Sequence, residues 1–175
     1  MFNFILMALL VPFGALLAFA AKKPDTFRVE RELNMKTTPD KVFPYINDLH
    51  KWTSWSPYEG RDPEMKRTYS GADSGVGAIY EWDGNNNVGS GRMEILTASV
   101  PSRIVIKLDF FKPFEGHNTA EFTIDASGDG CNVKWAMYGP CDFRAKVMHC
   151  FMNIDQMCGK DFSAGLEKLK SIVES

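Results

Sequence analysis

The sequence predicts an α+β domain in which a strongly curved, seven-stranded antiparallel sheet wraps around one long C-terminal helix, with two short helices after the first strand. Three observations carry this. Apolar and polar residues alternate with period two over residues 27–37, and again in six consecutive segments between residues 65 and 139. Short stretches of turn-forming residues join those six segments, as an antiparallel meander requires. From residue 142 onward the apolar spacing becomes helical and no proline interrupts it.

At the N-terminus, residues 1–21 ("MFNFILMALLVPFGALLAFAA") contain no charged side chain and stop at Lys22-Lys23. A helix of that length spans about 30 Å, the thickness of a bilayer core. Residues 1–23 are therefore expected to be an N-terminal transmembrane helix and membrane anchor. The alternative is a cleaved signal peptide, with Ala18-Phe19-Ala20 as the small-x-small site. Lysines after the helix place the following domain on the cytoplasmic side of a single-pass membrane protein. Residues 24–26 read as a linker and residues 27–175 as the domain.

In "FRVERELNMKT" the inward row is Val29, Leu33 and Met35, with Arg31 as the exception. Thr38-Pro39-Asp40 then supplies a helix start: a capping hydroxyl, proline in the first turn and an early acid. Val42, Phe43, Ile46 and Leu49 follow at helical spacing, and a second short helix carries residues 50–55 up to the Ser56-Pro57 stop. The meander strands are "MKRTYSG", "GAIYEWDG", "GSGRMEILTA", "RIVIKLDFF", "HNTAEFTIDA" and "CNVKWAMYG". Residues 142–174 are expected to form a single rod of about 45 Å.

A net charge of −2 without a basic stripe gives no footprint for nucleic acid. Cys131, Cys141, Cys150 and Cys158 lack CxxC spacing and a histidine cluster, so four buried thiols are expected rather than a metal site or disulfides. No cofactor is indicated.

The order of elements, together with "INDLHKWTSWSP", "GVGAIYEW", "SGRMEI" and "NTAEFTI … VKWAMYGP", resembles the polyketide cyclase/dehydrase group of the START-like (SRPBCC, helix-grip) superfamily. The likeness runs from Phe27 to the C-terminus. It implies a helix-grip fold around an apolar pocket, in a superfamily whose members range from lipid carriers to aromatic cyclases.

Strand parity then sorts a candidate lining for a cavity between sheet and helix. It comprises Tyr69, Tyr80 and Trp82; Met93; Ile106, Leu108 and Phe110; Asn118, Ala120 and Phe122; and Trp135 and Met137. Trp52 and Trp55 form a lid, while Met148, Phe151, Met152 and Asp155 lie near the mouth. Large flat side chains, methionines and few charges are the usual composition of a small-molecule site. Each of these residues is also ordinary core taken singly, and Asn118 is the one polar side chain on its inward row.

Three functions follow. The first is membrane-tethered binding or transport of a hydrophobic small molecule or lipid. The second is a cyclase/dehydrase-type enzyme, for which His50 and Asp155 are the available ionisable groups; GxSxG, HExxH and a phosphate loop are absent from the sequence. The third is a protein-interaction module whose own side chains fill the cavity, favoured by a volume below roughly 300 Å³.

Overall fold

The computed structural model describes residues 14–175. Its elements are β1 (Thr26–Met35), α1 (Pro39–Asn47), a 3₁₀ turn (Leu49–Lys51) running into α2 (Trp52–Trp55), β2 (Lys66–Gly71), β3 (Ala78–Asp83), β4 (Ser90–Ser99), β5 (Arg103–Lys112), β6 (Gly116–Ser127), β7 (Gly130–Pro140), α3 (Phe143–Met148) and α4 (Ile154–Val173). The strands form one antiparallel sheet in the order β1-β7-β6-β5-β4-β3-β2, so β1 and β2 are its edges. A register shift between Ile95 and Thr97 in β4 leaves Leu96 unmatched and bends the strand.

The inward faces bury Ala78, Tyr80, Met93, Ile95, Ile104, Ile106, Ala120, Phe122, Val133 and Trp135 against α1, α2 and α4. Helix α1 starts where Pro39 and Asp40 place it and buries Val42, Phe43 and Ile46, although the Thr38 side chain makes no capping hydrogen bond. Phe162, Leu166, Leu169 and Val173 are the buried stripe of α4.

Two expectations are corrected. Among the described residues no helix is long and apolar enough to cross a membrane. The transmembrane helix, the membrane as partner and the cytoplasm-facing single-pass location therefore do not stand. Residues 1–13 of that expectation lie outside the described residues, and residues 14–21 are helical. The helix buries Ala20 completely, and Lys23 Nζ just beyond it donates to the His149 carbonyl at 2.8 Å.

The second correction concerns the rod. It is interrupted at residues 149–153, giving α3 and a separate α4 of 20 residues, about 30 Å long. Each has its own cap: Asp142 accepts from the Ala145 N–H at 2.8 Å and Asn153 from the Gln156 N–H at 3.0 Å. The apolar stripe ahead of the break is consequently not core, with Phe143 and Phe151 exposed. Cys150 lies in the break and, with Cys158, is only half-buried, whereas Cys131 and Cys141 are buried; all four are free thiols.

Candidate ligand cavity

Register lines up the wall. Tyr80 lies opposite Met93, and Met93 opposite Leu108; Trp82 lies opposite Gly91, and Gly91 opposite Phe110. A Cβ on Gly91 would collide with the Trp82 ring, so this glycine lets the indole lie flat across β4. Ala120 faces Met137, and Phe122 faces Trp135. At one end of these rows the interior is filled by Trp55, Phe122, Ile104 and Ile124. At the other end it is open.

The open end is a cavity whose enclosed part measures about 80 Å³; counting narrow crevices and the mouth, its atom-free space is about 630 Å³. The smaller figure decides what fits into the chain as it stands. At about 13 Å³ of such space per water-sized group, there is room for roughly six non-hydrogen atoms. Sheet and helix supply Tyr80, Trp82, Met93, Leu108, Phe110, Ala120, Trp135, Met137 and Phe162, and Trp52 reaches in from α2. The roof is the loop after α2, with Ser56, Tyr58, Glu59 and Met65, together with Val88 of the β3–β4 connection.

The roof is tied down by polar bonds. The Asp62 carboxylate is buried and accepts from the N–H groups of Glu64 at 3.1 Å and Asn85 at 2.7 Å, joining the two loops. Arg61 pairs with Asp161 of α4. Trp52 donates its indole N–H to the Ile46 carbonyl at 3.0 Å, and Trp82 to the Val88 carbonyl at 3.2 Å.

One carboxylate belongs to the wall. Glu59 accepts from the Tyr80 hydroxyl at 2.8 Å through Oε1 and from Arg67 Nε at 2.7 Å through Oε2. Burial, followed by the bond to Glu59, pushes the Tyr80 phenol far above its ordinary value. Burial does the same to Tyr58, helped by Cys158 and Asp161 of α4. The hydrogen bond to Glu59 raises Arg67. Among the described residues, no group of three or more His, Cys, Asp or Glu side chains is placed to hold a metal ion.

Residues 26–174 match the model of a family described as polyketide cyclase/dehydrase and lipid transport. The chain belongs to this polyketide cyclase/dehydrase and lipid transport family. No curated protein matches it by sequence. The fold is similar to that of protein CV1439 from Chromobacterium violaceum, with TM-score 0.60, 17% identity, and 87% of this chain and 99% of that one covered. It is also similar to major latex-like protein 151 from Panax ginseng, with TM-score 0.62, 10% identity, and coverage of 87% and 100%. A third likeness is to the di-domain ARO/CYC StfQ of the steffimycin biosynthetic pathway, with TM-score 0.64 and 12% identity, covering 85% of this chain and 51% of that one.

In this member of the polyketide cyclase/dehydrase and lipid transport family only some of the expected lining residues meet at the cavity. Trp52, Tyr80, Trp82, Met93, Leu108, Phe110, Ala120, Trp135 and Met137 meet at the cavity. Trp55, Ile106 and Phe122 are fully buried in the filled half, and Trp55 donates to the Tyr45 carbonyl at 3.0 Å. Tyr69 stacks behind Tyr80 at 5.1 Å. Asn118 packs over Gly139, whose missing Cβ makes room for it, and is not in the wall.

The group near the expected mouth is elsewhere. Phe151, Met152 and Asp155 border a separate surface depression with Lys23, Phe27 and His149, and Met148 is half-buried on α3. Asp155 is held there by Arg31, through two bonds of 3.0 Å to its carboxylate oxygens. His50 stacks on Tyr69 at 4.1 Å and meets Asp48 at 3.1 Å, outside the cavity. Sequence reasoning missed Ser56, Tyr58, Glu59, Met65, Val88 and Phe162 as lining. Ser56, Tyr58, Glu59 and Val88 are in loops, where no periodicity assigns a face, and Met65, expected at the start of a strand, lies in the loop just before it. Phe162 was on the helical stripe but not singled out.

Proposed function

We propose that this domain binds a small apolar molecule, about one aromatic ring in size, in the cavity beneath the residue 56–65 loop. The observation that carries the reading is the wall itself: Trp52, Trp82, Trp135 and Phe162 with three methionines, around a single ion-paired carboxylate. Family membership supports hydrophobic ligand binding or cyclase-type chemistry. A phenylalanine-sized ring buries roughly 150 Å², about 4 kcal/mol at 25 cal/mol per Å², so a bare ring binds no tighter than about 1 mM.

Volume alone argues for the alternative of a self-filled interior, since about 80 Å³ is well under the roughly 300 Å³ of ordinary small-molecule pockets. Against it, Met65, Met93 and Met137 can re-pack around a guest, and the roof is a loop rather than a sheet. A long acyl chain requires that roof to lift. Titration with toluene, p-cresol or 4-methylanisole, rings slightly larger than the resting space and therefore reliant on that re-packing, tests the reading. The melting temperature of the wild-type chain should rise with concentration by mass action. Ala120→Leu, which fills the cavity from β6, should melt no lower than wild type and lose the shift. No shift in wild type, or an equal shift in the filled variant, ends the proposal.

The Glu59–Tyr80 pair favours a second reading. A carboxylate in the wall is a general base within reach of a guest, as cyclase-type chemistry requires. His50 and Asp155 are not in position for that role. Turnover of a candidate substrate that survives Glu59→Gln unchanged would rule it out.

A further inference from the structure

We infer that the cavity selects neutral guests that donate a hydrogen bond, aromatic hydroxyl or ring N–H compounds, over aromatic acids, and that Glu59 makes the selection. This rests on the proposed binding reading and names its ligand class. An ionised carboxylate offers about four lone-pair positions and no donor. Tyr80 occupies one on Oε1 and Arg67 Nε one on Oε2, which leaves two unclaimed. Glu59 lines the cavity and its side chain is only 9% exposed, so water competes poorly for them.

Three of the neighbouring donors are already committed. Tyr80 gives its proton to Glu59, and the indoles of Trp52 and Trp82 give theirs to the Ile46 and Val88 carbonyls. The Ser56 hydroxyl accepts from the Tyr58 N–H at 3.4 Å; its own proton and that of the Tyr58 hydroxyl remain as neutral donors, which carry no charge to offset that of Glu59. A hydroxyl or ring N–H arriving among these rings therefore finds an acceptor with free capacity. An arriving carboxylate finds a like charge across an apolar gap, where repulsion is poorly screened. Arg67 does not relieve this: besides Glu59, its guanidinium bonds the Met65 carbonyl at 2.9 Å, turned toward the loop. A buried ammonium gains an acceptor but loses its hydration in a wall that is otherwise apolar. Neutral donors are thus the favoured class.

The test uses three probes on one ring: p-cresol, 4-methylanisole and 4-methylbenzoate, titrated into the full chain at neutral pH and followed by NMR shifts. A hydrogen bond to a charged acceptor makes p-cresol about tenfold tighter than 4-methylanisole, with 4-methylbenzoate the weakest. Glu59→Gln narrows the p-cresol preference to about threefold and strengthens 4-methylbenzoate. Tyr80→Phe frees Oε1 and keeps the preference, so it serves if the glutamine variant does not fold. If none of the three binds, the cavity reading fails and this inference with it. If 4-methylanisole equals p-cresol, or 4-methylbenzoate binds best, donor selection is overturned while the cavity stands. A tenfold preference persisting in folded Glu59→Gln also overturns the role of Glu59.

Discussion

The indole of Trp135 on β7 stacks on the ring of Phe162 on α4, with centroids 4.2 Å apart and planes 9° from parallel. Trp55 and Phe122 also pack against Trp135, which at the same time lines the cavity. Trp135 is therefore both core and wall, and the position of α4 sets how much space is left.

Gly165, three residues beyond Phe162, lets the helix approach this closely. A Cβ there meets Trp135 Cζ3 and Pro57 Cδ, each at 2.9 Å. In an open helix, glycine to alanine gains about 1 kcal/mol. Here α4 or Pro57 must move, at a typical overpacking cost of about 1–3 kcal/mol. Gly165→Ala is expected to be less stable than wild type in urea unfolding, against its helix propensity. A higher midpoint would show that the contact yields freely.

From sequence alone both tryptophans of "WTSW" read as a lid over the cavity, with ordinary packing as the alternative; the structure gives the two indoles different duties. Both N–H groups end on carbonyls of α1, Ile46 for Trp52 and Tyr45 for Trp55, yet only Trp52 borders open space. Trp55→Phe leaves the Tyr45 carbonyl without its donor and should cost about 1–3 kcal/mol with no change in ring-probe affinity. Trp52→Phe should cost a similar amount and also alter probe affinity. Equal effects of both variants on probe binding would contradict the division.

What the sequence made legible follows from periodicity. The alternation in β3 to β7 assigned inward rows because one face of each strand is buried and a one-residue slip would reverse it. Arg31 broke the β1 pattern for a reason visible only in three dimensions: its guanidinium crosses the helix at Gly159, where a Cβ would collide with it, to reach Asp155. The break after α3 was hidden by continuous apolar spacing, although Asn153 three residues before Gln156 was a readable cap. Loops carry no period, so Tyr58 and Glu59 gave no sign of forming the roof, and Met65, read as the first residue of the alternating segment "MKRTYSG", lies just before the strand that starts at Lys66.

The roof should loosen when its tie is cut. Asp62 bridges two loops through backbone N–H groups of Glu64 and Asn85. Asp62→Ala removes both acceptors and is expected to cost about 1–3 kcal/mol. It should also speed amide hydrogen exchange over residues 58–65 and 84–89 while leaving β5 to β7 protected. Uniform acceleration across the sheet would instead mean that the residue supports the whole fold.

Stability toward acid should depend on a carboxylate on the outer face of the sheet. Asp109 is buried, with Lys107 Nζ at 2.9 Å, His117 Nδ1 at 2.8 Å and Arg92 opposite it in register. Glu115 approaches the far side of His117 at 3.5 Å. Burial pushes the Asp109 carboxyl up, but the hydrogen bonds and charges of His117 and Lys107 outweigh it and hold the group below its ordinary value. The unfolded chain, with an aspartate pKa of about 3.9, therefore takes up the proton first as pH falls. The stabilisation is complete above that value and disappears as pH drops through the folded-state pKa. Asp109→Asn should be less stable than wild type at pH 7 and lose less stability between about pH 4 and pH 2. Parallel stability curves for the two chains across that window would show that the cluster contributes nothing to folding.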